Sequence, residues 1–262
     1  MGDLSPSVQL KLARAAEHLD SLRALTLEWE KTERYETVQE QDAASNNDFE
    51  WIRFVARVGG SPLPGDALAT RLGDCLQNYR SALDHLIWEL SVLESGDPPP
   101  QPRRISFPAY DEAARFAGQG LHAVATDVVD EVKKLQPYHD GAKAHENPHW
   151  LLCELSNVDK HRTIHVVGHY APQIEVILNP DLPGSLVEPR EPGPVESGVV
   201  LARVCMPRPE RERIEVETRI RVTRGLAILA TAETPLLHLG TTVDAIKATV
   251  EEVAERLSAY LP

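Results

Sequence analysis

A helical repeat of apolar side chains over residues 73–90 is the strongest pattern in the chain. At about 100° per residue, an α-helix collects these side chains on one broad face, which holds Leu72, Cys75, Leu76, Tyr79, Ala82, Leu83, Leu86, Ile87 and Leu90. The opposite face holds Asp74, Gln77, Asn78, Arg80, Ser81, Asp84 and His85. Because a helix that needs only solubility favours Glu and Lys, we expect a central helix whose polar face is a candidate functional surface.

Glycine and proline set the limits of this central helix. A Gly/Pro run at residues 59–65 breaks the chain before it, and Pro98, Pro99 and Pro100 prevent it from continuing past Ser95 and Gly96. Further helices are predicted from Ser5 or Ser7 to about 30, over 111–117, from Ala125 or Thr126 to 135, from Pro148 to 162 and from Thr242 to about 260. The first would bury Leu10, Leu12, Ala15, Leu19, Leu22 and Leu25.

Alternating apolar patterns predict strands on both sides of the helical segments. They occur at 35–41, 49–58, 164–167, 174–178, 199–206 and 213–222. Residues 139–149 read as a polar loop, and 179–197 as an exposed, mobile one. Helices followed by mostly antiparallel strands indicate an α+β protein. We expect one domain over 1–262, with a helical part to about 162, a strand-rich part over about 163–240 and a C-terminal helix over about 241–260.

Composition limits the classes of function. A chain of 262 residues with a net charge of -13 is acidic, which argues against sequence-independent binding of nucleic acid but leaves room for a small basic pocket. Its three cysteines, Cys75, Cys153 and Cys205, are far apart and lie in apolar surroundings, so buried thiols are expected rather than disulfides or a zinc site. Without a signal peptide or an apolar run of about 20 residues, a cytoplasmic protein with no membrane partner is expected.

Arg80 and His85 are the first candidates for chemistry. Arginine offers a planar, permanently charged group suited to phosphate, and histidine exchanges a proton near neutral pH. In one unbroken helix the two project about 140° apart, so they converge only with a second element or a second copy across a two-fold axis. The structural alternative is that Arg80 pairs with Asp84 at i,i+4 while His85 bonds a neighbouring helix end.

A second polar cluster closes the helix that starts at Pro148. Three basic side chains there, Lys160, His161 and Arg162, either complement the negative end of the helix dipole or form an anion pocket. If the two helices pack together, His85 and His161 would be base and acid in metal-free RNA cleavage, with the basic side chains around the phosphate. The predicted catalytic residues are thus Arg80, His85 and His161, and the predicted anion-binding residues are Asn78, Asp84, Asn157, Asp159, Lys160 and Arg162.

Histidines are also frequent in and after the polar loop, at His139, His145, His149, His165 and His169. Their mixed spacing is a weak metal signal, and neither an HExxH motif nor a glycine-rich phosphate loop is present. The sequence therefore predicts no metal and no cofactor, and leaves open whether the first three of these histidines bind one.

Two resemblances extend these predictions. The segments 78–86, 135–138 and 150–162 together resemble a family of uncharacterised bacterial proteins, over most of the chain. The Arg-x4-His spacing of Arg80 and His85 is also similar to the motif of HEPN domains, helical modules of toxin and antiviral ribonucleases. That resemblance implies a metal-independent ribonuclease with RNA or a nucleotide as partner and a site formed across a homodimer. Arg80 and His85 would then be the catalytic pair, and Asn78 a supporting residue.

Two other interpretations stay open. In one, the same groups hold a nucleotide, an anion or a protein partner without catalysis. In the other, both motifs are internal ion-pair and helix-capping networks that lock the helical layer to the sheet. Exposure of Arg80 and His85 in a cleft or at a dimer seam favours an enzyme, whereas burial of both, with every donor matched inside one subunit, favours structure.

Overall fold

The computed structural model describes residues 4–32, 34–116, 120–208, 211, 215–229 and 236–262. Its helices are α1 (Pro6–Thr32), α2 (Gly65–Ser95), α3 (Ala113–Phe116), α4 (Thr126–Lys134), α5 (Pro148–His161) and α6 (Leu239–Ser258), with 3-10 helices at Pro102–Arg104 and Pro137–Glu146. Its strands are β1 (Arg34–Gln41), β2 (Phe49–Gly59), β3 (His165–Asn179), β4 (Leu186–Pro189), β5 (Gly193–Pro194), β6 (Val200–Pro207), β7 (Glu217–Leu229) and β8 (Leu237–His238). The predicted α+β class is confirmed.

Helix α2 is the centre of the helical layer, as its apolar repeat predicts. All nine side chains of the predicted apolar face are buried, and they share one core with α1, α5, α6 and the end of β7. The helix ends where Gly96 takes a positive φ of 84° and donates its backbone N–H to the carbonyl of Val92.

Helix α1 lies along α2 but uses a narrower stripe than predicted. Ala15, Leu19 and Leu22 are buried, whereas Leu10 is 70% exposed, so its assignment to the buried stripe is wrong. Trp29, near the end of the helix, is buried instead and donates its indole N–H to the carbonyl of Ser61. This contact ties α1 to the segment that leads into α2.

The strands form two four-stranded antiparallel sheets. One has the order β1-β2-β6-β4 and the other β5-β3-β7-β8. The first sheet therefore joins the N-terminal hairpin to strands from the second half of the chain, so the strand-rich part is not confined to 163–240. Each sheet turns alternate side chains toward a core, as the period of two requires.

Several predicted boundaries are corrected. The strands predicted at 164–167 and 174–178 are one strand, β3, whose pairing with β7 shifts register at Val167/Tyr170 and again at Tyr170/Gln173. Within 179–197, β4 and β5 pair with neighbouring strands and Leu182 and Val195 are buried, so this stretch is not simply an exposed loop. Most of 139–149 is 3-10 helix. Predicted strand residues 213–214 and predicted helix residue 117 lie outside the described residues.

Among the described residues, no helix has both the length and the apolar character needed to cross a bilayer.

Candidate functional site

The seam between α2 and α5 brings the two sequence motifs together. Gly73 lies against the carboxylate of Asp159 with no room for a Cβ between them. Gln77 Nε2 donates to the carbonyl of Ser156 at 2.8 Å, and the Arg80 guanidinium lies beside Cys153. As residue numbers rise along α2 they fall along α5. The two helices are therefore antiparallel, and we call this contact the α2–α5 seam.

Arg80 sits in this seam with few partners. Its side chain is 20% exposed and its Nε lies 3.7 Å from Oδ1 of Asp84. In the described part of the chain, Nε and Nη1 of Arg80 are buried without a hydrogen-bond acceptor. Oδ1 of Asp84 also accepts the backbone N–H of Phe107 at 2.9 Å. The predicted i,i+4 ion pair is present, but one carboxylate oxygen serves both the guanidinium and a loop amide.

His85 faces a different neighbour. Its Nδ1 lies 2.9 Å from the hydroxyl of Ser7, in the first turn of α1. Glu89, one turn further along α2, accepts the hydroxyls of both Ser5 and Ser7. His85 thus bonds the beginning of a neighbouring helix, which is the contact that the structural interpretation predicts. Asn78 turns back to its own helix and donates to the carbonyl of Asp74.

The second motif lies at the C-terminal end of α5. Asn157, Lys160, His161 and Arg162 are exposed there, and the Arg162 backbone N–H closes the last turn on the Val158 carbonyl.

Asp159 is the inward-facing member of this motif. It is partly buried against α2, and burial raises the pKa of its carboxyl group, while a hydrogen bond from Gln77 acts in the opposite direction. Its carboxylate therefore belongs to the packing of the seam.

His85 and His161 do not meet inside one subunit. His161 follows Asp159, which lies at the level of Gly73, whereas His85 is three turns further along α2. Because His161 lies two residues beyond Asp159 in the direction away from His85, a rise of 1.5 Å per residue places the two histidines about 20 Å apart along the helix axis. Their predicted pairing as base and acid within one chain is therefore wrong, and their pairing between two copies stays a prediction.

Cys153 lies beside the Arg80 guanidinium. Burial raises the pKa of its thiol to about 11, and the charge of Asp84 adds to the rise. The charge of Arg80, a hydrogen bond with Arg80 and the charge of Lys160 act in the opposite direction. The thiol stays protonated at neutral pH and is not an activated nucleophile. Of the predicted site residues, the seam brings Arg80 and Asp84 together beside Cys153 and leaves the exposed Lys160 about two turns further along α5. His85 and His161 lie at separate places.

Comparisons with protein-family models, with curated proteins and with solved structures give no match.

The loop histidines go to separate places. His139 bonds the Lys133 carbonyl, and His145 bonds Asp111 and stacks on Trp150. His149 is buried and its Nδ1–H donates to the Leu135 carbonyl. Within the ranges that the structure describes, no group of three or more His, Cys, Asp and Glu side chains is arranged to hold a metal ion.

One concave region was missed from the sequence. It lies between α1, β7 and the beginning of α6, and its polar end holds Trp29, Glu30, His169 and Arg224. The signal that could have revealed it is the break in strand alternation at Gly168 and His169. There β3 changes register, and His169 takes a positive φ of 51°.

Proposed function

We propose that the α2–α5 seam binds a phosphate group of RNA or of a nucleotide, and that the protein cleaves RNA without a metal ion as a symmetric dimer. The observation that carries this proposal is the state of Arg80. Two of its nitrogen atoms lack an acceptor, and its carboxylate neighbour Asp84 is shared with a backbone amide. Buried donors without acceptors are costly and rare, and a phosphate oxygen is a matching acceptor for a guanidinium.

In this mechanism Arg80 stabilises the charge on the reacting phosphate, and Lys160, exposed about two turns along α5, holds a neighbouring phosphate of the same strand. His85 takes the proton of a 2'-hydroxyl, whose oxygen attacks the phosphorus. The 5'-oxygen leaves and takes a proton from His161 of a second copy, giving a 2',3'-cyclic phosphate and a free 5'-hydroxyl. A second copy is required because the packing holds the two histidines about 20 Å apart within one chain.

Subunit mixing tests this proposal. His85→Ala and His161→Ala should each abolish cleavage of mixed RNA in the presence of chelator. Equal mixing of the two variants should then restore about a quarter of the wild-type rate, since half of the dimers are mixed and each of these has one intact site out of two. His122→Ala is the matched control, because His122 is exposed and bonds only a backbone carbonyl. If the wild-type protein leaves RNA intact, the catalytic proposal fails.

A second candidate function, a non-catalytic structural or protein-interaction module, also has specific support. Asp84 accepts from Phe107, Gln77 donates to Ser156 and Asp159 packs against Gly73, all inside one subunit. Arg80→Met separates the two functions. Loss of RNA binding with an unchanged melting temperature favours the phosphate site. A large fall in melting temperature, together with no RNA binding by the wild-type protein, favours the structural role.

A further inference from the structure

His85 and Glu89 of α2 share one partner on α1, the hydroxyl of Ser7. This hydroxyl lies 2.9 Å from Nδ1 of His85 and donates to Oε1 of Glu89 at 3.2 Å. Side chains at i,i+4 on a helix are neighbours, so the hydroxyl stands between the imidazole and the carboxylate. The two side chains of α2 are half-buried, whereas Ser7 is exposed. We call this array the His85–Ser7–Glu89 relay.

The beginning of α1 holds the carboxylate of the relay in place. The hydroxyl of Ser5 donates to Oε1 of Glu89 and accepts the backbone N–H of Val8 at 3.3 Å. A carboxylate beside the first turn of a helix is also stabilised by the positive end of the helix dipole. Glu89 is therefore positioned as an acceptor for Ser7 by contacts that do not involve His85.

The relay fixes which nitrogen of His85 carries the ring proton. A hydroxyl has one proton to donate, and an ionised carboxylate can only accept. Because a charged acceptor forms the stronger hydrogen bond, the proton of Ser7 goes to Glu89. The oxygen of Ser7 then accepts Nδ1–H of His85, which leaves Nε2 of the neutral ring with its lone pair. In the part of the chain that the structure describes, Nε2 of His85 has no protein partner.

A ring in this tautomer suits a general base. As the oxygen of the 2'-hydroxyl bonds to phosphorus, its proton moves to Nε2, and the 5'-oxygen leaves with a proton from the second histidine. In the resulting imidazolium both nitrogens donate, so Nδ1–H keeps its bond to Ser7 and the new charge lies near Glu89. We propose that Ser7 and Glu89 are positioning residues that hold His85 in the Nδ1–H tautomer, with Nε2 as the base. This inference rests on the proposed function.

The tautomer of His85 tests the relay without any substrate. Two-bond proton–nitrogen correlation spectra of the full chain, labelled with nitrogen-15 in histidine, should be recorded at about pH 8.5, where a histidine ring of ordinary pKa is neutral. The ring signals are assigned by comparison with His85→Ala. The wild type should carry the proton on Nδ1. Ser7→Ala should move the population toward Nε2–H, whereas Ser7→Thr, which keeps the hydroxyl, should not.

Cleavage rates test whether the tautomer serves the reaction, since the same contacts also tie α1 to α2. At saturating RNA, Ser7→Ala should lower the single-turnover rate about tenfold, a part of the roughly 10²–10⁴-fold that a positioned base supplies. Its affinity for RNA should stay unchanged, because the relay acts on the transition state. Ser7→Thr should restore most of the rate, and Glu89→Gln should lower it.

Ser21→Ala is the matched control. Ser21 is another serine of α1 whose hydroxyl bonds a side chain of α2, accepting Nε–H of Arg71 at 2.9 Å. Its loss removes the same kind of contact between the two helices away from His85. Neither the tautomer of His85 nor the cleavage rate should change in this variant.

The outcomes separate this inference from the proposed function. The relay is overturned, and the phosphate proposal stands, if the wild type cleaves RNA but carries the ring proton on Nε2, or if folded Ser7→Ala cleaves at the wild-type rate. If the wild type leaves RNA intact, the proposed function fails and the positioning role fails with it, whichever tautomer is found. Should Ser7→Ala not fold, the wild-type tautomer and Glu89→Gln decide the matter.

Discussion

Replacing Gly73 with alanine should destabilise this protein, although the same change inside a helix normally stabilises it by about 1 kcal/mol. A Cβ at this position would overlap the carboxylate of Asp159, closer than real Cβ contacts come. The overlapping atoms are the carboxylate of a short side chain that is partly buried between the two helices, so this carboxylate clears the new Cβ only by changing its rotamer within the packed seam. Overpacking of this kind costs about 1–3 kcal/mol, which leaves a net loss of up to about 2 kcal/mol after the gain in helix propensity is subtracted.

A double-mutant cycle by urea unfolding measures this effect. In an Asp159→Ala background the overlap is absent, so Gly73→Ala should raise the free energy of unfolding by about 1 kcal/mol. The coupling between the two sites should therefore be about 1–3 kcal/mol. If Gly73→Ala instead stabilises both backgrounds equally, the two residues do not face each other. The antiparallel register of α2 against α5, from which the distance between His85 and His161 follows, would then lose its main evidence.

Three further perturbations test other contacts. Burial lowers the pKa of His149 below 6.5, so the unfolded chain binds the extra proton first. Stability should then fall by up to about 1.4 kcal/mol per pH unit as the pH drops below 6.5. Urea midpoints at pH 7.5 and 5.5 check this, and a similar fall in His149→Phe would contradict it. Asp84→Ala should lower the free energy of unfolding by about 2 kcal/mol, because it removes the acceptor of the Phe107 amide and leaves a largely buried Arg80 unpaired. Asp84→Asn should lower it less in the same urea experiment. Glu131→Gln should lower the free energy of unfolding by about 1 kcal/mol, because it weakens the ion pair with Arg256 that joins α4 to α6. This loss of stability should be smaller in high salt.

Patterns carried by neighbouring residues were predicted from the sequence. The apolar face of α2, the β1–β2 hairpin and the start of α5 at Pro148 all follow from period and local breakers within one segment. The Arg80–Asp84 pair is local in the same sense, since i,i+4 side chains on a helix lie next to each other.

What depends on distant partners was not predictable in this way. The pairing of β2 with β6 joins Trp51 to Cys205 across most of the chain, and nothing in either strand specifies that choice. The same holds for the site. Helical spacing places Arg80 on a polar face, but only packing shows that it lies beside Cys153 and that His85 turns toward Ser7. The cleft between α1, β7 and α6 was not predicted, because its residues come from separate elements of the chain. The one sequence pattern that points to it is the break in strand alternation at Gly168 and His169.

The α2–α5 seam is proposed to take an anion in a protein of net charge -13, so its binding gains nothing from long-range attraction. Binding must then come from contacts within a few ångströms, and salt should act on it only through those contacts. For RNA at the seam, Arg80 and Lys160 together neutralise about two phosphates, so log affinity should fall against log salt with a slope of about -1.4 for a single strand. Fluorescence anisotropy of labelled RNA between 50 and 300 mM NaCl measures this slope. This range includes the salt concentration of about 0.1 M at which the Debye length is about 10 Å. A slope several times steeper would place the binding surface on many more basic groups than the seam contains, and would refute its assignment as the site.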